Sequence, residues 1–553
     1  MAVAFLFRAA ACHTAVSMKV VSAILASLCA LGVVWFGVAY RTGVASGADS
    51  YGYVSEADLW INGNLHVSQE FARELPWPKP EATVAPLGYR EQPGDEVAAI
   101  VPVYSPGLAL LMAGAKLIGG HAAVFWVVPL LGGLFVISVY GIGRQIGGPL
   151  VGLSASVLTA LSPVVLFMVL WPMTDVAVAA VWSAASWAAL GASRRRACVA
   201  GLIAAAALLI RPNLVAVGIM MGIWMILRDL RRGESPWWRV DRAMAFAAGT
   251  APGLIAVMLF NRALYGSPFV SGYGTLGSVL HFRNFPGNVQ RYGEWLFTSE
   301  TPLVALGLLA LALPIARVWR DRDRAFNVLL LAMVAVGTLS CYLFFMPLDE
   351  WWYLRFLMPM WPGMLVGLSW LLFARVGVVR TILALGVVGA LGWHGVTFAQ
   401  EKRITAASEG ERRFVTAARL VREHTEPNSV IFSLVHSGSV RYYGERMTMR
   451  YDWLKPEWLD RGVAWLNERG AHPYLLVEEW ELNRWKEDFG PVSPLGRMDM
   501  KVVFELQWPT HMWLFDLTKP KEPTWPYINA FYLPRVERTP LPAPAPVFSL
   551  KPR

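Results

Sequence analysis

The sequence predicts an α-helical polytopic membrane protein of about eleven transmembrane helices, joined to a C-terminal soluble α/β domain. Three observations carry this. Of 553 residues, 55% are hydrophobic and only 16% are charged, where a soluble domain carries about 25%. The shortfall is uneven: long apolar stretches follow one another from about residue 20 to 398, and beyond 400 the charge density returns to that of a soluble protein. Arginines gather in short loops between the apolar stretches, the placement that sets membrane orientation. That placement also accounts for most of the net charge of +10 and speaks against a nucleic-acid partner.

Twelve apolar segments fall at 20–40, 105–118, 122–143, 148–169, 174–191, 197–211, 213–228, 243–262, 302–316, 326–346, 356–374 and 379–397. The first follows Lys19 and is 21 residues long, enough to span and longer than the apolar run of a signal peptide. It reads as an uncleaved helix, and Met18 as well as Met1 can serve as the start. The basic clusters are Arg144, Arg194 to Arg196, Arg228 to Arg242 with Arg231, Arg232 and Arg239, Arg317 to Arg324, and the pair Arg375 and Arg380. With all of them cytoplasmic, the later segments pair into hairpins, 122–143 runs inward and 20–40 runs outward. The segment 105–118 then has no crossing to make. It is short, opens with Ser105-Pro106-Gly107, and reads as a re-entrant or surface-lying helix on the outer side.

The expected organisation is therefore a cytoplasmic N-terminus (1–19), a transmembrane domain (20–398) with outer loops at 41–121 and 263–301, and an extracytoplasmic domain (399–553). The stretch 41–104 carries four basic against nine acidic residues, consistent with export. Trp35, Tyr40, Trp171, Trp351, Trp352 and Tyr353 sit at segment ends, as interfacial aromatics do.

In the tail, Glu409 to His424 and Trp458 to Arg469 have helical apolar spacing, and Ser429 to Ser433, Tyr474 to Val477, Lys501 to Leu506 and Met512 to Phe515 read as strands. Pro534 to Arg553 is Pro-rich and reads as extended or disordered. Cys12, Cys29, Cys198 and Cys341 all lie in or beside apolar segments, so no disulfide framework is implied, and no CxxC or HExxH points to zinc.

The candidate functional residues are charges at the outer membrane edge. Asp49 lies nine residues after the first helix, and Asp175 opens a later helix in WPMTDVAVAA. Arg211 ends a helix in LLIRPNL, and Arg355 sits in WWYLRFLMP. Each has an ordinary reading: a loop carboxylate, a helix-end charge beside Thr174 as N-cap, or a guanidinium snorkelling to headgroups. Together they place two carboxylates and two guanidiniums at one edge of the lipid, where ionisable groups are functional candidates. A carboxylate can take the proton of an attacking hydroxyl, and an arginine fork suits a departing phosphate.

The chain resembles the GT-C superfamily of polyprenyl-phosphate-sugar-dependent glycosyltransferases, near the aminoarabinose lipid A transferases and protein O-mannosyltransferases. The motifs that carry this are Asp49-Ser50-Tyr51-Gly52-Tyr53 with Glu56 and Asp58, Tyr104-Ser105-Pro106-Gly107, Ser162-Pro163, Met173-Thr174-Asp175, Arg211-Pro212-Asn213 and Tyr353-Leu354-Arg355-Phe356. The resemblance implies an inverting sugar transfer to an acceptor hydroxyl on a glycan, lipid or protein, at the outer face of a bacterial-type inner membrane. It makes Asp49 and Asp175 the catalytic carboxylates. Tyr51, Glu56, Asp58, Tyr104, Arg211 and Arg355 are then substrate-binding. Many relatives have Asp-Glu where this chain has Asp49-Ser50, so Glu56 or Asp58 would supply the second acid. No cofactor is required, although two carboxylates leave room for a divalent cation. A lipid or solute transporter is the alternative; it would carry ionisable residues near the bilayer midplane and broken helices in both halves.

Overall fold

The structure, a computed structural model, describes residues 2–94, 98–231, 240–312, 322–374, 377–507, 510–522, 527–528 and 539–552, with backbone alone at 2–17, 276 and 527–528. Asp95, Glu96, Arg232, Arg239, Arg317, Arg375 and the start of the Pro-rich end lie outside the described residues. The chain divides into two compact units. The first is Met1–Arg41, Trp126–Phe260 and Gly274–Thr405; the second is Thr42–Phe125, Asn261–Tyr273 and Ala406–Arg553.

The first unit is helical. Among the described residues, eight helices are long and apolar enough to cross a membrane: Met18–Tyr40, Pro106–Val124, Val127–Gly147, Pro212–Arg231, Asp241–Tyr265, Arg322–Tyr342, Trp351–Phe373 and Val378–Glu401. All but Pro106–Val124 are among the eleven spans expected from the sequence. The other four of the eleven are shorter helices: Pro149–Leu161, Thr174–Ala189, Arg194–Ile210 and Pro302–Ala312. The expected span 148–169 is broken because Pro163 lacks an N–H and starts a new helix, Pro163–Met168. Ser162 takes up the break: its hydroxyl accepts the Val165 N–H at 3.5 Å. The segment 356–374 begins as a 3-10 stretch, Trp351–Met360, and turns α-helical at Trp361.

Helices pack closely where glycines face each other. A Cβ on Gly143 would come within 2.8 Å of the Gly152 Cα, so Val127–Gly147 and Pro149–Leu161 touch along their backbones.

The second unit holds a three-stranded antiparallel sheet and a six-stranded mixed sheet. The small sheet orders β1 (Val67–Ser68), β3 (Ala99–Pro102) and β2 (Tyr89–Glu91) with β3 central. Helix Asp49–Asn62 packs on Pro106–Val124. The latter starts with Pro106 at N1 and runs past the expected end at 118, through a kink at Gly120 whose φ of 71° is left-handed. The next helix therefore starts at Val127 rather than 122.

The Pro106–Val124 helix has the length to span, yet it belongs to the unit without the other membrane helices. We expect it not to cross. In a chain stripped of native cysteines, Pro93→Cys and Ala122→Cys should both react with an impermeant thiol reagent added outside; protection of one of them would make the segment a span.

The six-stranded sheet orders β5 (Met447–Met449), β4 (Ser429–Phe432), β6 (His472–Glu478), β8 (Met512–Asp516), β7 (Lys501–Leu506) and β9 (Tyr527–Ile528). β4 runs parallel to β5 and β6, and β8 runs antiparallel to β6 and β7. Every β4 residue is buried, as for a strand covered on both faces. The expected helices appear as Ala407–His424 and Leu459–Glu468. Helices Ser437–Gly444 and Glu479–Phe489 and strand β5 are additional to that reading. Residues 539–552 have no regular structure but are tied down: Ala543 N–H donates to Tyr442 O at 2.7 Å and Lys551 N–H to Arg469 O at 2.9 Å.

Candidate active site

The residues singled out from the sequence fall into two groups, one in each unit.

In the second unit, Asp49 is the first residue of helix Asp49–Asn62. The loop before it, Thr42 to Ala48, turns into the helix with Gly52 N–H bonded to Ala48 O at 2.9 Å. The Tyr104 hydroxyl donates to Asp49 Oδ1 at 2.7 Å. Tyr104 reaches it because position 52 is glycine: a Cβ there would stand 2.1 Å from the Tyr104 ring. The Tyr53 ring lies 4.4 Å from the Tyr104 ring, centroid to centroid. Burial, with Asp49 next in effect, holds the Tyr104 phenol well above its ordinary range. Tyr104 is therefore a donor to Asp49 at neutral pH and does not compete with it as a base. The structure makes it a partner of Asp49.

Tyr51 is buried, with its ring 5.6 Å from Tyr89 and 6.1 Å from Tyr442. Glu56 is completely buried, receives the Trp60 indole N–H at 3.2 Å on Oε1, and has no hydrogen-bond partner on Oε2 among the described residues. Burial pushes its carboxyl up to about 8, so the neutral acid predominates at pH 7. Asp58 pairs with Lys116 and accepts the Tyr442 hydroxyl at 2.8 Å.

In the first unit, two antiparallel helices bring Asp175 and Arg211 together. Thr174–Ala189 and Arg194–Ile210 are joined by a tight turn, so the start of one lies beside the end of the other. The N-cap is Met173 and offers no side-chain bond; Thr174 is already helical, so it is not the cap expected from the sequence. Arg211 is the C-cap of the second helix, stopped by Pro212. Asp175 is 1% exposed and forms ion pairs through Oδ1, with Arg211 Nη2 at 2.9 Å and Arg355 Nε at 3.8 Å. Arg355 arrives on the 3-10 stretch packed against helix Thr174–Ala189.

Aromatic rings support both guanidiniums. Arg211 and Arg355 lie over the Phe356 ring at 5.3 and 5.2 Å, and Arg355 also over Tyr353 at 5.1 Å. Tyr342 stacks on Phe356 with centroids 5.0 Å apart and planes 7° off parallel. Its hydroxyl accepts from Asn213 at 3.0 Å and faces Arg211 Nη1 at 3.3 Å. Tyr342 was invisible in the sequence reading, since it sits 131 residues from Arg211 in an otherwise apolar span.

Among the described residues, no three His, Cys, Asp or Glu side chains gather as metal ligands. The charges around Asp175 are guanidiniums, which suit an anion rather than a cation.

Membrane helices joined to a C-terminal sheet domain are the fold expected from the resemblance. Solved structures bear this out over most of the chain. An archaeal oligosaccharyltransferase, AglB from Archaeoglobus fulgidus, in complex with an inhibitory peptide and a dolichol-phosphate, matches 89% of this chain and 72% of its own with a TM-score of 0.54 and 11% identity. The same organism's oligosaccharyltransferase in complex with Zn and sulfate matches 90% and 73%, with a TM-score of 0.58 and 13% identity. ArnT from Cupriavidus metallidurans, bound to undecaprenyl phosphate, matches 89% of this chain and 97% of its own, with a TM-score of 0.51 and 13% identity. No protein-family profile and no curated protein sequence matches the chain.

Proposed function

We propose that the chain is an inverting glycosyltransferase that moves a sugar from a polyprenyl-phosphate donor to an acceptor hydroxyl at the extracytoplasmic face of a bacterial-type inner membrane. The observation that carries the reading is the pair of guanidiniums converging on buried Asp175. An arginine fork recognises phosphate oxygens two at a time, and holding two such forks over one aromatic ring fixes their direction in advance. The structural neighbours with bound dolichol-phosphate and undecaprenyl phosphate support a lipid phosphate as the ligand.

In this reading Asp49 is the general base. The acceptor oxygen attacks C1 of the sugar, the bond from C1 to the phosphate oxygen breaks, and the acceptor proton passes to the Asp49 carboxylate. Polyprenyl phosphate leaves with the bonding electrons, and Arg211 and Arg355 stabilise the charge that grows on it. One displacement inverts C1. Tyr104 fixes the carboxylate by its hydrogen bond, and Asp175 fixes the guanidiniums.

The test uses purified full-length chain in lipid nanodiscs. Undecaprenyl phosphate alone should raise the melting temperature in proportion to the logarithm of its concentration, and a labelled polyprenyl-phosphate sugar should be consumed with release of polyprenyl phosphate. Absence of both effects with bacterial and dolichol-type lipids would overturn the reading.

A further inference from the structure

We propose that helix Ser437–Gly444 of the tail is a positioning element that sets the placement of Asp49; the inference rests on the reading of Asp49 as base. The parallel strands supply the reason for its location. β4 is flanked by β5 on one side and β6 on the other, so the chain reverses direction of travel across the sheet beyond the carboxyl end of β4. In open α/β sheets such a switch point opens a crevice that receives a ligand. Here the receiving segment, His436 to Gly444, is met by residues 45–88 of the same chain.

The contacts bracket Asp49. Before it, Ala45 N–H donates to the Tyr443 hydroxyl at 2.8 Å. Within its helix, Tyr51 lies against Gly438, where a Cβ would stand 2.2 Å from the ring. At the far end, the Tyr442 hydroxyl donates to Asp58 at 2.8 Å. Behind the helix, Arg441 is buried and donates to Val84 O at 2.6 Å while also holding Thr448 of β5. Three attachment points over residues 45–58 fix both the axial position of the helix and its rotation, and with them the direction of the Asp49 carboxylate.

The clasp is rigid on the tail side as well. His436, which precedes the helix, meets Glu478 at the end of β6 at 3.0 Å, and Arg413 donates to the same Glu478 oxygen at 2.7 Å. The helix is thereby tied to the sheet before it grips the loop. A base displaced by about 1 Å loses on the order of 10²-fold in rate, so a clasp of this kind acts on turnover and not on donor affinity.

The experiment uses the full chain. Tyr443→Phe removes one hydroxyl at constant volume, and Gly438→Ala pushes a methyl into Tyr51. Tyr443→Phe should lower kcat about tenfold with the donor KM unchanged. Added to Asp49→Asn it should cost nothing further, because it acts only through that carboxylate. Hydrogen exchange of the 46–56 amides should quicken in both variants while β6 stays protected. A loss that multiplies with Asp49→Asn, a change confined to KM, or unchanged exchange at 46–56 overturns the proposal. A wild-type chain without transfer activity would overturn the glycosyltransferase reading instead; the exchange measurement then decides whether the tail helix holds the Asp49 segment.

Discussion

Asp49→Asn is expected to reduce sugar transfer by about 10²-fold or more, the usual contribution of a general base, with donor binding kept. The substitution is nearly isosteric, and an asparagine oxygen still accepts the Tyr104 hydroxyl that bonds Asp49 at 2.7 Å. The helix and its clasp should therefore stay in place while the proton acceptor is lost. A thermal melt on equal amounts of membrane-inserted protein checks the first point, and single-turnover transfer at saturating donor checks the second. Tyr104→Phe is the companion variant: it leaves the base but frees its orientation, so kcat should fall by less than in Asp49→Asn. If Asp49→Asn transfers sugar at near the wild-type rate, Asp49 is not the base, and the mechanism must be rebuilt around another carboxylate.

The sequence made one part of this site legible because it follows from topology. Segments 174–191 and 197–211 read as consecutive antiparallel spans joined across the Arg194 to Arg196 cluster. A hairpin must set the start of its first helix beside the end of its second, which is where Asp175 and Arg211 meet. The Ser162-Pro163 break was present in the letters too, since proline at N1 starts helices, but a continuous apolar run from 148 to 169 concealed it. Segment ends moved by a few residues for the same reason: hydropathy marks where lipid or core begins, not where hydrogen bonding stops.

The environment of the individual carboxylates was not legible. Glu56 and Asp58 look interchangeable in SEADLW, yet one is sealed and neutral and the other is bound by Lys116 and by Tyr442, 384 residues away. Nothing in local composition predicts a partner at that distance. Strand β5 is three residues long and has no periodicity to display, so the switch point at β4 that it creates was hidden as well. The grouping of the 42–125 loop with the tail in one compact unit depends on such remote contacts and not on any boundary signal in the chain.

Arg211→Lys is expected to lower kcat/KM by about tenfold to a hundredfold, in the range of one or more lost hydrogen bonds between charged groups. Arg211 reaches Asp175 at 2.9 Å and the Tyr342 hydroxyl at 3.3 Å through different nitrogens. A single ammonium on a flexible stem keeps the charge but cannot hold that geometry and present a fork to phosphate at once. Arg355 stands farther from Asp175, at 3.8 Å, so its lysine variant should keep more of the local structure and lose mainly donor affinity, seen as a raised KM. Asp175→Asn takes away the buried carboxylate that both guanidiniums face. Breaking a buried pair in this way costs about 3–5 kcal/mol, so this variant should melt well below the wild type as well as transfer poorly. Polyprenyl-phosphate titrations on each variant separate the two effects: the arginine variants should bind the lipid phosphate more weakly at nearly unchanged stability, and a high phosphate-analogue concentration should compete with the wild type more strongly than with either of them. If both lysine variants turn over the donor at the wild-type KM and kcat, the phosphate is held elsewhere, and the Asp175 cluster is a structural tie between helix ends.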